Sequence, residues 1–167
     1  TEGFFQINLP VYEQALRDIA DHVDEARPVV DLYSGVGTIG LTVTDNHLTL
    51  VEINESAVRE MNRNIEALNR ANSRAILSAS EKVLDTIVSG STIIVDPPRA
   101  GLDDKVVGRL NEVLPERIIY LSCNPVTQAR DVARLVDNYG ITYIRGYNFF
   151  PHTPHIENLV VLDKKSS

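Results

Sequence analysis

The chain has one cysteine, Cys123, among 167 residues. No internal disulfide and no multi-cysteine zinc or iron–sulfur site can therefore form, and a reducing compartment suits such a chain. Long apolar runs are missing too. None approaches the ~18 residues that span a bilayer, and no signal-peptide pattern is present, so a cytoplasmic location without membrane contact is expected. Positive charge is scarce, with 16 Lys and Arg against 23 Asp and Glu and a net charge of −7, which argues against strong general affinity for nucleic acid. There is no internal repeat or low-complexity segment. A hydrophobic content of 43% and a charged content of 23% are those of an ordinary globular protein. The length suits one domain that buries about two-thirds of its unfolded surface.

Strand and helix patterns alternate along the chain. Thr1 to Leu9 begins abruptly and without a helical period, as a cut chain would. Tyr12, Ala15, Leu16, Ile19 and Val23 mark an amphipathic helix over Val11 to Asp24. A buried strand at Pro28 to Leu32 leads through a glycine-rich turn to a short helix ending near Thr44. His47 to Ile53 is a second strand, and Asn54 or Ser56 caps a helix carrying Val58, Met61, Ile65 and Leu68. Arg74 to Leu77 and Ser91 to Val95 read as strands, with a helix expected over Ser80 to Val88 between them. Asp96-Pro97-Pro98-Arg99 closes the fourth strand. A helix over Asp103 to Val113 precedes a strand that ends at Cys123. Val126, Ala129, Ala133 and Val136 give the stripe expected to pack inward from the next helix. Gly140 then releases the chain into Ile141 to Tyr147, and Asn158 to Asp163 forms the last strand. The alternation predicts an α/β fold with a mostly parallel sheet and helices on both faces. The last two strands lie too close for a helix between them, so the final one should run antiparallel.

Two stretches carry chemistry. In Arg117 to Pro125 an apolar run rich in β-branched residues ends at Cys123, where Asn124 caps a new helix and Pro125 takes its first position. A lone cysteine is usually a small buried hydrophobe. This one falls at the carboxyl edge of the sheet, where ligands gather, and the positive end of the following helix is expected to favour its thiolate. The second stretch is Asp31 to Gly40, in which Gly35, Gly37 and Gly40 match G-x-G-x-x-G between a strand and a helix. Glu52 ends the next strand, where a carboxylate can accept both hydroxyls of a ribose. A dinucleotide and S-adenosylmethionine both fit that pattern. Asp96 and Cys123 project from the same sheet edge, and Glu157 is delivered there by the last loop. A nicotinamide-dependent oxidoreductase has no evident use for the cysteine and usually holds its substrate on a second domain.

These residues resemble the S-adenosylmethionine-dependent RNA uracil-5-methyltransferases, which make 5-methyluridine in tRNA and large-subunit rRNA. The resembling segments are Phe4 to Asn8, Asp31 to Gly37, Val51 to Asn54, Asp96 to Leu102, Ser122 to Pro125, Phe150 to Thr153 and His155 to Glu157, in the family's order along the whole chain. The resemblance implies a Rossmann-like class I methyltransferase fold with a seven-stranded sheet whose last strand is antiparallel. It also implies S-adenosyl-L-methionine as cofactor, with S-adenosyl-L-homocysteine as product. Cys123 would be the nucleophile and Glu157 the base, and Gln6, Tyr33, Gly35, Gly37, Thr38, Glu52 and Asp96 would form the cofactor site, with no metal. Tyr33 and Ser34 replace the commoner Phe and Cys. Ser78-Ala79-Ser80 stands where members carry an acidic or amide residue for the adenine amino group. The family's amino-terminal RNA-binding β-barrel has no counterpart here, so residues 1–167 read as an isolated, monomeric catalytic domain. Its partner would be tRNA or rRNA, bound mainly through that other domain.

The uracil chemistry calls for such residues. Carbon 5 of uracil is too poor a nucleophile to take a methyl group unaided, and a thiolate added at carbon 6 makes it one. A carboxylate must then remove the proton from carbon 5. Glu157 suits that task if burial raises its pKa, whereas residue type alone makes it a solvated strand-end carboxylate. Asp96 could bind the base or the methionine amino group, and Arg99 a phosphate. His152 and His155 suit loop packing or RNA contact better than zinc. Phe149, Phe150 and Tyr33 are candidate stacking surfaces for an unstacked base. Besides a nicotinamide-dependent oxidoreductase, which the glycine loop alone leaves open, two rival readings remain from the residues. Asp-Pro-Pro-x also resembles the motif with which exocyclic-amine methyltransferases hold an amino group, although they usually place an aromatic where Arg99 sits. A domain that binds a nucleoside cofactor without catalysis is the other.

Overall fold

The structure, a computed structural model, describes residues 8–150 and 153–166. Seven strands form one sheet in the order β3-β2-β1-β4-β5-β7-β6. These are β1 (Val29–Leu32), β2 (Leu48–Glu52), β3 (Ser73–Leu77), β4 (Thr92–Val95), β5 (Arg117–Ser122), β6 (Tyr139–Tyr147) and β7 (Glu157–Lys164). β1 to β5 pair in parallel. β7 runs antiparallel to both β5 and β6, as the short final connection requires. The helices are α1 (Leu9–Asp21), α2 (Thr38–Val43), α3 (Glu55–Ala67), α4 (Asp104–Val113) and α5 (Pro125–Ala133). None of them is long and apolar enough to cross a membrane.

Strand alternation divides the core in two. On one face Val29, Leu48, Leu50, Ile94, Ile119, Leu121, Leu159 and Val161 meet Ala15 and Ile19 of α1, Ile39 and Leu41 of α2, and Val58 and Met61 of α3. On the other, Val30, Leu32, Val51, Ile93, Val95, Ile118, Tyr120, Val160 and Leu162 meet Val106, Val107 and Leu110 of α4 and Val132 of α5. Capping follows the sequence. Asn54 accepts the Ala57 N–H at 3.0 Å to open α3, and Asn124 accepts the N–H groups of Val126 and Thr127 with Pro125 at the first position of α5.

Three local expectations need correction. Ser80 to Val88 is not one helix but two single 3₁₀ turns, Ser80–Lys82 and Leu84–Thr86. No side chain caps the first turn, and the Thr86 hydroxyl bonds back to the Val83 carbonyl at 2.7 Å, closing the second. α5 packs with its stripe reversed. Val126 is 79% exposed while Gln128 and Asp131 are buried, because those two polar side chains have partners beneath the helix. Gly140 does not release the chain but lies inside β6.

Candidate active site

The carboxyl ends of β1, β2, β4 and β5 meet the start of β7 along one edge. In β5–β7 the register pairs Ser122 with Asn158 and Leu121 with Leu159. One step further in that antiparallel register, Cys123 stands opposite Glu157 and shares its face. Parity extends the row, since Asp31, Glu52 and, past the end of β4, Asp96 follow the same alternation as Leu50 and Ile94 on the α1–α3 side of the sheet.

Packing sets the electrostatics. Burial pushes the Asp31 carboxyl up to about 8, against the Gly40 N–H that its Oδ2 accepts at 3.0 Å and with Asp96 and Glu52 adding to the rise. Among the described residues its Oδ1 has no partner. Burial, then the charge of Glu157, lifts Asp96 to about 7. Glu157 is itself raised by burial, the direction a base for carbon 5 requires. The thiolate expectation for Cys123 is reversed. Burial and the Glu157 carboxylate push the thiol up, Arg99 opposes them, and Asp96 adds to the rise. The first turn of α5 gives little relief, because Asn124 already occupies the N–H groups of Val126 and Thr127.

Beside this row lies a cleft of about 410 Å³ lined by Tyr33, Glu52, Ile53, Ser78, Ala79, Glu81 and Asp96, among others. Glu52 is braced at its rim, with Oε1 accepting the Gly35 N–H at 2.9 Å and Oε2 the Asn54 N–H at 2.8 Å. Each oxygen keeps a lone pair for a further donor. Tyr33 reaches its place through a left-handed backbone, φ 57°, and its hydroxyl accepts the Asp103 N–H at 3.5 Å. The three loop glycines serve separate ends. Gly35 has φ +58° and no described atom within 4 Å of where a Cβ would stand, whereas one at Gly37 would press on Leu41 and Met61 at 3.1 Å, and one at Gly40 would lie 2.8 Å from Asp31 Oδ2. Of the three, Gly35 is the one that leaves room for a ligand against the backbone. Thr38 opens α2 and is exposed. Gln6 and His152 lie outside the described residues, and His155 is exposed.

Several contributors were not visible in the sequence. Tyr12 of α1 reaches the row, its phenol raised by burial and then by Asp96 and Asp31. Gln128 donates to the carbonyls of Tyr120 and Asn158, both at 3.0 Å, and its Oε1 accepts the Asn158 amide at 2.8 Å. It thus ties β5 to β7 just before Cys123 and Glu157. Apolar periodicity carries no signal for such a residue. Phe149 is withdrawn as a stacking surface, because it is buried edge-on to Tyr12 at 5.5 Å and beside Tyr147 at 5.8 Å.

Comparison with known proteins gives the geometry a context. Residues 84–165 match the family described as tRNA (Uracil-5-)-methyltransferase. The chain is 36% identical to an uncharacterized RNA methyltransferase of Enterococcus faecalis, over 97% of this chain and 37% of that relative. The crystal structure of Pyrococcus abyssi tRNA (uracil-54, C5)-methyltransferase, a complex with S-adenosyl-L-homocysteine, superposes with a TM-score of 0.84 and 38% identity, covering 96% of this chain and 40% of that one. TrmN from Thermus thermophilus, at 18% identity and a TM-score of 0.67 over 91% of this chain and 48% of its own, shares the fold alone. The sheet is that of the class I methyltransferases, and the chain spans between a third and a half of the length of these proteins.

Proposed function

Because the chain belongs to the tRNA (uracil-5-)-methyltransferase family, we propose that it is the catalytic domain of an enzyme that transfers a methyl group from S-adenosylmethionine to carbon 5 of a uridine in tRNA or rRNA, through a covalent adduct at Cys123. The observation that carries this reading is the β5–β7 register, which sets the one cysteine opposite a carboxylate whose pKa is raised.

The residues present suit the cofactor. Glu52, with one free lone pair on each braced oxygen, is built to accept from a pair of vicinal hydroxyls, and the open side of Gly35 leaves room for a ligand against the backbone. Ser78, Ala79 and Ile53 would flank an adenine in the cleft, and Asp96 would stand at its reactive end. Thr38, Gly37 and Gln6 are included in the proposed site on the family resemblance. When bound, S-adenosylmethionine supplies an electrophilic methyl group on a sulfonium. All other steps fall to the chain and the base.

Cys123 loses its proton and its sulfur adds to carbon 6, forming a C–S bond while the carbon 5–carbon 6 π pair moves into an enolate. Carbon 5 is then nucleophilic and takes the methyl group. Glu157 removes the proton left on carbon 5, the C–H pair restores the double bond, and the thiolate departs. Carbons 5 and 6 must be out of the base stack, and Tyr33 and Phe150 remain the aromatic side chains available to receive the base. The enzyme works as a cytoplasmic monomer and engages RNA chiefly through the rest of the protein, in keeping with the net charge of −7 on this domain. An exocyclic-amine methyltransferase would leave the Cys123–Glu157 pairing without a role.

The test is an RNA adduct that survives denaturing electrophoresis. Wild-type protein with S-adenosylmethionine and RNA containing 5-fluorouridine should form it, and Cys123→Ala should not. Glu157→Gln should accumulate the adduct even on ordinary uridine RNA. Methyl transfer that persists in Cys123→Ala overturns the covalent route.

A further inference from the structure

Cys123 faces an unfavourable field for an anion. Glu157 approaches it from β7 and Asp96 from the turn after β4, and both carboxylates oppose a thiolate. The N–H groups at the start of α5 are taken by Asn124. The positive charge of Arg99, from the same turn as Asp96, works in favour of the thiolate. Arg99 is exposed and forms no ion pair with any carboxylate among the described residues.

The backbone beneath Arg99 is fixed. Its carbonyl accepts from Asn124 Nδ2 at 3.2 Å and from Thr127 Oγ1 at 2.9 Å. The next carbonyl, of Ala100, accepts from Arg130 at 2.8 Å, and the Leu102 N–H donates to Asp131 at 2.9 Å. All four partners stand on α5 or at its cap. The helix that begins just after the cysteine therefore holds the turn that carries Arg99.

Resting on the reading of Cys123 as the nucleophile, we propose that Arg99 is the counter-charge that favours the Cys123 thiolate against Glu157 and Asp96, and that Thr127 is a positioning residue that holds Arg99 for this task. When the thiol proton leaves to water, the thiolate that forms is favoured by a guanidinium charge that persists at every working pH. Glu157 and Asp96 can then retain their places for the later proton transfer without silencing the nucleophile.

The single cysteine makes the test direct. The rate of Cys123 alkylation by iodoacetamide, measured from pH 7 to about 11.5 on the intact chain, reports the midpoint of thiolate formation without RNA or cofactor. Arg99→Gln should move that midpoint up by about one pH unit, the low end of an opposite-charge effect because the guanidinium is exposed, and slow alkylation at neutral pH by about tenfold. Arg99→Lys should restore most of the loss. Thr127→Val should shift the midpoint the same way by less. It leaves Arg99 chemically intact, so it still reports if the Arg99→Gln protein does not fold. Arg63→Gln, which removes a charge paired with Glu60 on the exposed face of α3, should change nothing. An unchanged midpoint in folded Arg99→Gln, or a lysine variant no better than glutamine, overturns the role of the charge, and an unchanged Thr127→Val overturns the positioning. Because the assay needs no uracil, its outcome is separate from the adduct test on Cys123→Ala, which decides the chemistry itself.

Discussion

Gly40 and Gly108 both sit within helices, yet a methyl group added at each meets different surroundings. At Gly40 of α2 the new Cβ would lie 2.8 Å from Asp31 Oδ2 and 3.1 Å from Leu48 Cδ1. That oxygen already accepts the Gly40 N–H, and the other oxygen of Asp31 is buried without a partner among the described residues, so the carboxyl has no easy retreat. Gly40→Ala should cost about 1–3 kcal/mol by overpacking. At Gly108 of α4 no described atom lies within 4 Å of the new one, and Gly108→Ala should gain about 0.4–1 kcal/mol by restricting the unfolded chain. Urea denaturation of the two variants measures both, and a neutral Gly40→Ala would remove the packing account. The glycine spacing announced a strand–turn–helix with a ligand beside it. It could not say toward which side each missing Cβ points, and that decides that Gly35 serves the cleft while Gly37 and Gly40 serve the protein's own packing.

α5 shows where helical periodicity fails. Apolar spacing selected Val126, Ala129, Ala133 and Val136, whereas the helix buries Gln128, Asp131 and Val132. Burying a carboxylate is costly unless it is fully paired. Asp131 is, receiving the Leu102 N–H at 2.9 Å, the Tyr120 hydroxyl at 2.7 Å, and the guanidinium groups of Arg130 and Arg134. Those partners come from the turn after β4, from β5 and from α5 itself, so no local pattern could reveal them. α1, α3 and α4 were readable because their apolar stripes face apolar strands. Asp131→Ala should cost about 3–5 kcal/mol, since it strands buried donors and loosens the Arg99 turn. Val126→Thr, at a site 79% exposed, should stay within about 0.5 kcal/mol of wild type. Equal losses in the two variants, measured by chemical denaturation, would show that the apolar stripe is the buried one after all.

Across the molecule, the alternation of elements and the short last connection were enough to anticipate a mostly parallel sheet with one reversed strand. The register was not, and it is register that sets Cys123 opposite Glu157 and aligns Asp31, Glu52 and Asp96 on one face. Collecting carboxyl groups there shapes stability as well as chemistry. In the unfolded chain an aspartate titrates near ~3.9. Burial pushes Asp31 to about 8 and Asp96 to about 7, and it raises Glu157. The folded domain therefore holds protons that the unfolded chain has released, and the stability these groups contribute is full below about pH 4 and lost as pH rises through their folded values. Asp18, Asp131 and Asp163 act in the opposite sense. Against the cost of burial, the Tyr147 hydroxyl, the Leu102 N–H and the Arg117 guanidinium hold them low. Their contribution is full above about pH 4 and lost as pH falls through their lowered values. The two trends, with the self-repulsion of a chain whose isoelectric point is near 5.0, place the stability maximum of the ligand-free domain at about pH 5. Thermal melts at pH 5 should give a higher midpoint than at pH 8, and Asp31→Asn combined with Asp96→Asn should flatten the decline between them. A wild-type midpoint that is level from pH 5 to pH 8 would mean that Asp31 and Asp96 ionise in the fold much as they do in the unfolded chain.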